Sequence, residues 1–256
     1  MFIVFNKQKI YTYFISIITV VLLFCIADVL TNGNRELQQV SSENEKMLPI
    51  YSVNTSENKV ALTINCAWNA DDIDSILNTL NTNNVKVTFF MVGDWIEKNP
   101  EAVKKIYENG HEIGTHSDTH PHVNNLSYEK NQEEIQTSCK KIEDITKNKV
   151  NLYRAPYGEY NNTVIKAAND MNYYTIQWNL DTLDYSGLTG EQMWNRIKDK
   201  LNNGDIILSH NGTKNTENAL DMLIKNIKQK GFEVVRVGDL IYKDNYKINV
   251  NGTQTK

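Results

Sequence analysis

The sequence predicts an α/β fold: a distorted, incomplete (β/α) barrel of about seven βα units behind an N-terminal membrane helix. Three observations lead there. Short apolar runs with β-branched residues alternate with segments of helical spacing from Lys59 onward. The connections between them are short. Residues able to do chemistry cluster directly after the apolar runs, and in a βα barrel such positions share one rim. A doubly wound open sheet is the second choice. No glycine-rich phosphate loop follows the first strand, which argues against nucleotide binding.

The elements follow in order. Residues 60–64 (VALTI) form the first strand. Residues 72–80 place Ile73, Ile76, Leu77 and Leu80 at helical spacing. Residues 85–92 are a second strand containing Phe89 and Phe90. Asn99 followed by Pro100 reads as an N-cap with proline at the first helical position, and Gly110 ends that helix. A short third strand covers 112–115, and Ser127 caps a long helix towards Thr146. Residues 151–154 are extended, 161–171 helical and 173–178 strand. Thr189 and Gln192 form a capping box that opens a helix to about Leu201. A strand over 205–209, a helix over 217–230 and a strand over 232–237 complete the alternation.

The N-terminal part has another character. Residues 11–27 (YTYFISIITVVLLFCIA) carry no charge, with Lys7 and Lys9 before them and Asp28 after. With Ile10, Val29 and Leu30 the run approaches the ~20 residues that cross a bilayer. The leading lysines keep that end cytoplasmic and send the rest outward. Cys25-Ile26-Ala27 matches a small-residue cleavage pattern only in part, so an uncleaved anchor is favoured over a cleaved signal peptide. Either way the remaining chain lies outside the cytoplasm. The expected organisation is a membrane segment at 1–31, a polar tether at 32–58, a catalytic domain at 59–242 and a polar tail at 243–256. With 27 basic against 31 acidic residues there is no basic excess, which argues against a nucleic-acid partner. Three cysteines do not make a disulfide scaffold.

Chemistry-bearing residues follow five of the strands. Asn65-Cys66-Ala67-Trp68-Asn69-Ala70-Asp71-Asp72 follows the first. His116-Ser-Asp-Thr-His120 follows the third, and Arg154-Ala-Pro-Tyr157-Gly158 the fourth. Asp181-Thr-Leu-Asp184-Tyr185 follows the fifth, and Leu208-Ser-His210 ends the sixth. His116 and His120, four residues apart, can present two imidazoles to one metal from a tight loop. A histidine's ordinary pKa near ~6.5 suits proton transfer, which makes His210 a general acid or base candidate with Asp184 to orient it. Arg154 precedes a rigid turn and is placed to pair with a carboxylate or polarised oxygen. The backbone N–H of Tyr157 can face an oxyanion.

GHEIGTHSDTHPH, RAPYG, WNLDTLDY and GDIILSH together resemble the polysaccharide deacetylase family, carbohydrate esterase family four, over residues 59–240. The resemblance implies metal-assisted removal of N-acetyl groups, commonly with zinc. It implies that His116 and His120 ligate the metal and that Arg154 positions a base. It also implies that Tyr157 N–H binds an oxyanion and that Asp184 tunes His210, the general acid. Tyr185, where the family usually has Trp, and Leu208 would line the acetyl-methyl pocket.

The first motif departs from the family's T-F-D-D-G, because the chain reads Thr63-Ile64-Asn65-Cys66-Ala67. Asn65 stands in the place of the base and Cys66 in that of a metal ligand. The stretch from Trp68 resembles a sporulation-associated clade, in which a later acid substitutes. Asp72 is then the favoured third ligand, with Asp71 and Cys66 as alternatives. An Asn amide is no useful proton acceptor near neutral pH, and general-base help is typically worth about 10²–10⁴-fold. Two functions result, and the sequence favours the first. One is a membrane-anchored or secreted de-N-acetylase acting on peptidoglycan or a chitin-like glycan with a divalent metal. The other is an impaired relative that binds such a glycan.

Overall fold

The fold comes from a computed structural model in which residues 7–43 and 46–256 are described. The start of the expected membrane segment (1–6) and residues 44–45 of the expected tether lie outside the described residues. The chain divides into two units, Met1–Lys46 and Met47–Lys256. In the first, one helix, α1, spans Lys7–Glu43. Its stretch Tyr11–Leu30 is 20 residues, long and apolar enough to cross a membrane. The helix continues past Asn32, where a tether was expected, and its last turns contain good helix formers such as Glu36, Leu37, Gln38 and Gln39.

In the second unit, β1 (Ser52–Val53) and β2 (Lys59–Cys66) precede α2 (Ile73–Thr82) and β3 (Thr88–Met91). Then come α3 (Gly93–Lys98), α4 (Pro100–Glu108), β4 (Glu112–Thr115) and α5 (Tyr128–Thr146). β5 (Leu152–Tyr153), α6 (Asn162–Asn169), β6 (Tyr174–Thr175) and β7 (Leu180–Asp181) are followed by α7 (Gly190–Ile197) and β8 (Ile206–His210). α8 (Thr216–Gln229), β9 (Glu233–Val235), α9 (Val237–Leu240), β10 (Lys247–Ile248) and β11 (Thr253–Thr255) end the chain. Two of the expected caps form: Ser127 accepts from Lys130 N–H at α5, and Thr189 with Gln192 closes a capping box at α7, whereas the Asn99 side chain makes no cap bond at α4 and donates to Trp95 O instead.

The main sheet runs β6-β5-β4-β3-β2-β8-β7, with β9 also beside β2, and its pairings are parallel. This is the expected incomplete barrel. Among the described residues no ladder joins β6 to β7. Strand periodicity divides β2 between two environments. Val60, Leu62, Ile64 and Cys66 face the layer of helices, while Ala61 joins Phe90, Leu152, Ile176 and Ile206 inside the curve of the sheet. Each fully buried aliphatic side chain in these layers contributes roughly 1.5–3 kcal/mol.

Two expected polar segments belong to the fold. Residues 47–53, expected in a tether, lie along the open side of the barrel. Ile50 bridges Ile176 beside β6, and Ser52 bridges Asp205 beside β8. Ile50 and Val53 are both 1% exposed. The strap passes so close to Gly204 (φ +81°) that a side chain there would run into the Val53 carbonyl. The expected tail at 243–256 contains β10 and β11, and β11 pairs with β1. Gln254 is fully buried, accepting from Tyr242 N–H and donating to Tyr242 carbonyl. The folded unit is therefore Met47–Lys256, not 59–242. These strands have two or three residues, too few to show a period, and β1 and β11 are distant in sequence.

Candidate active site

Parallel register brings the strand ends to one rim. Asn65 pairs with Phe90 on one side and His210 on the other. Thr115 lies beside both Met91 and Tyr153, so His116 and Arg154 emerge together one residue later. Asn65, His116, His120, Tyr157, Leu208 and His210 line a cleft of about 620 Å3, with Tyr185, Trp68, Trp95 and Trp178 in its walls. The loops there are tightly turned. Ser117, His120, Tyr157 and Leu183 all have φ between +54° and +70°, a region costly for non-glycine residues and frequent at functional sites.

One side of the floor is built on Asp184. Its Oδ1 accepts from His210 Nδ1 (2.8 Å) and Tyr185 N–H (2.9 Å). Its Oδ2 accepts from His210 N–H (2.6 Å) and Thr216 Oγ1 (2.7 Å). The carboxylate is 1% exposed and fully used, so the imidazole of His210 is held with its other nitrogen free to work. Trp68 and Tyr185 flank that ring at centroid distances of 5.2 and 5.3 Å. Leu208 is in the cleft lining and 2% exposed.

The other side is built on Arg154, which is fully buried. Nη1 donates to Thr63 Oγ1 (2.8 Å) and Asn65 Oδ1 (2.9 Å). Nη2 donates to Gln177 O (3.1 Å) and Nε to Ile176 O (3.3 Å), while the Phe90 ring lies 4.0 Å from the guanidinium carbon. Burial pulls the Arg154 pKa down to about 9. His116 Nδ1 lies 2.8 Å from the Arg154 carbonyl oxygen, and its Nε2 lies 3.2 Å from Asn65 Nδ2. Burial, with His120 adding to it, holds His116 well below the usual imidazole range, so it is neutral at pH 7. His116 and His120 rings stand edge to face at 4.9 Å. Burial also lowers His120.

Tyr157 sits between two histidines, edge-on to His120 (4.5 Å) and stacked on His122 (4.4 Å). Glu159 Oε1 lies 2.7 Å from His122 Nδ1 and steadies that stack. Among the described residues the Tyr157 N–H has no hydrogen-bond partner, as an oxyanion donor requires.

The expected third metal ligands lie elsewhere. Asp72 is not part of the cleft lining. Its oxygens accept from Asn211 Nδ2 (3.1 Å) and Gly212 N–H (2.7 Å), pinning the loop after β8 to the loop after β2. Burial raises its pKa against those bonds. Cys66 follows Asn65 on the strand, so its thiol falls on the helix-facing side, packed among Ile64, Leu62 and their neighbours. Burial raises its pKa well above the usual thiol value, which keeps it protonated. Asp71 is exposed and outside the cleft lining. Catalytic zinc uses three protein ligands. Among the described residues no group of three His, Cys, Asp or Glu side chains is arranged to hold a metal. His116, His120 and Asp72 therefore do not fit the zinc set expected from sequence.

One supporting residue has no sequence signal. Glu134, in the middle of α5, accepts from Ser117 Oγ (2.7 Å), Asp118 N–H (2.9 Å), Thr119 N–H (2.9 Å) and Thr119 Oγ1 (2.9 Å). It holds the strained loop between the two histidines. Burial alone would raise the Glu134 pKa, and these bonds override it and hold it below the usual value.

Comparison with known proteins gives the family. Residues 52–176 match the polysaccharide deacetylase family. A peptidoglycan-N-acetylglucosamine deacetylase of Bacillus cereus is 32% identical over 200 residues, 75% of this chain and 71% of that protein. An uncharacterized Bacillus subtilis protein, YlxY, is 34% identical over 75% of this chain, and the match spans only 60% of that relative. Among solved structures, a wild-type family four (CE4) pseudoenzyme from Bacillus anthracis superposes with a TM-score of 0.74 and 32% identity, covering 84% of this chain and 75% of that one. A mutant of that pseudoenzyme with restored enzymatic activity superposes equally well, at TM-score 0.74 and 33% identity, over 78% of this chain and 74% of that one. By its fold, its strand-end motifs and these relatives, the chain belongs to the polysaccharide deacetylase family.

Proposed function

We propose that this protein binds an N-acetylated glycan, of the peptidoglycan or chitin-like class, in the cleft, and that it is impaired as a deacetylase. The sequence alone favours the active enzyme, and the geometry favours the alternative. One observation carries the choice. Asn65 stands at the family's base position with its amide oxygen held by Arg154, so an amide and not a carboxylate stands where the base would be. The aromatic walls and the free Tyr157 N–H remain suited to a sugar ring and an acetamide oxygen. A divalent metal would need a third ligand that the floor does not supply. The apolar helix Tyr11–Leu30 supports a membrane-anchored protein with the cleft outside the cytoplasm, where such glycans are found.

The test uses the full chain in detergent with N-acetylglucosamine oligomers and with peptidoglycan. Saturable binding with little acetate release supports the reading. Acetate release at rates typical of an active deacetylase sinks it. Retention of the His210–Asp184 pair supports a residual hydrolase as the second reading, and slow release that disappears in His210→Ala would select it.

A further inference from the structure

The geometry points to a role for Asn65 beyond that of an absent base: its amide closes the cleft floor to divalent metals, so that this chain works as a metal-free protein. The argument rests on the direction of each hydrogen bond. A guanidinium only donates, and Arg154 Nη1 lies 2.9 Å from Asn65 Oδ1. That contact fixes which end of the amide faces Arg154. The NH2 end therefore faces His116 Nε2, at 3.2 Å. Across the same ring, His116 Nδ1 lies 2.8 Å from the Arg154 carbonyl oxygen, which only accepts. The ring proton sits on Nδ1, and Nε2 turns its lone pair to the Asn65 amide. A metal ion needs that lone pair.

The lock has no easy alternative state. Flipping the amide would set its oxygen against the Nε2 lone pair and its NH2 against the guanidinium, two repulsive contacts in place of two bonds. Both groups are almost fully buried, with Asn65 and His116 each 3% exposed, so water cannot relieve the mismatch. An aspartate here would behave in the opposite way. One oxygen would accept from Arg154, and the other would face the Nε2 lone pair, an arrangement that a cation between them stabilises. One NH2-for-oxygen exchange thus changes the preference of the site. Local charge acts in the same sense: among the described residues no carboxylate forms an ion pair with Arg154, which only the more distant Asp181 offsets, and a divalent cation would add to that buried charge.

This inference goes beyond the glycan-binding reading and does not depend on it, because it is read by zinc and not by sugar. The full chain in detergent is dialysed against zinc chloride and then metal-free buffer, and bound zinc is counted by atomic emission. The expected result is no more zinc on the wild type than on the His116→Ala/His120→Ala double variant. Asn65→Asp should bind zinc about 10–100-fold more tightly than the wild type. Asn65→Ala, which frees Nε2 without adding a ligand, should show a smaller gain. Histidine 15N spectra of the wild type should show His116 protonated on Nδ1 and unmoved by zinc.

Stoichiometric zinc on the wild type that is lost in the double histidine variant overturns the proposal. So does a folded Asn65→Asp protein with no gain in affinity, and so does a His116 spectrum shifted by zinc. If zinc behaves as expected and glycan fails to bind, only the functional reading falls. If glycan binds and a chelator leaves that binding unchanged, both stand.

Discussion

The two sides of the cleft floor are each built on one buried charged side chain, yet they have kept different things. On one side Asp184 accepts four hydrogen bonds and holds His210 ready for proton transfer. On the other, Arg154 donates to Asn65, and Asn65 in turn faces the nitrogen of His116 that a metal would use. The first side is a satisfied network with a free imidazole edge. The second is a satisfied network with nothing free. Complete hydrogen bonding is therefore compatible with either a working or a closed site, and what separates them is the direction of the donors.

The largest effect should come from opening the closed side. Asn65→Asp restores a proton acceptor beside Arg154, and hydrolysis of N-acetylglucosamine oligomers in the presence of zinc should rise by about 10²–10⁴-fold. Acetate release measures it, and an unchanged rate would mean that the two sides differ in more than this residue. Breaking the intact side should act on stability as well. Asp184→Ala leaves the His210 N–H, His210 Nδ1 and the Tyr185 N–H without their partner, and should cost about 3 kcal/mol in denaturant unfolding. A loss well under 1 kcal/mol would show that the network is looser than its distances suggest.

The walls should matter less than the floor. Trp68 is 50% exposed and stacks beside His210, so Trp68→Ala should weaken glycan binding by about 3–10-fold, as loss of one aromatic contact of roughly 0.5–1.5 kcal/mol predicts. Titration calorimetry reads this directly. The smallest effect concerns the loop that carries His120. Glu134 has a depressed pKa in the folded state, so its contribution is present above the ordinary glutamate value near 4.5 and is lost as pH falls through the lower folded value. Melting curves below pH 5 should lose part of their acid slope in Glu134→Gln. Identical slopes would remove Glu134 from the account of that loop.

Much of this was legible in the chain. Most of the βα alternation and the caps at Ser127 and Thr189 appear where the sequence puts them, because each rests on near-neighbour physics, while α3 and the separate strand β7 that carries Asp181 were not read from it. The strap at 47–53 and strand β11 did not show, because they hold each other across 201 residues of chain, and β10 with its two residues is too short to show a period. The surroundings of the candidate third metal ligands also depend on tertiary structure. The sequence favoured Asp72, with Asp71 and Cys66 as alternatives. Strand alternation turns Cys66 to the helix side, and Asn211 with Gly212 takes up Asp72.

The sequence by itself determined the fold class, the order of the elements and the rim on which the chemistry would gather. It also determined that Asn65 cannot serve as a base, since that follows from what an amide is. Only the tertiary structure decided which way the amide points. That depends on Arg154, 89 residues further along, arriving with nothing but donors and thereby fixing the Asn65 NH2 on the lone pair of His116.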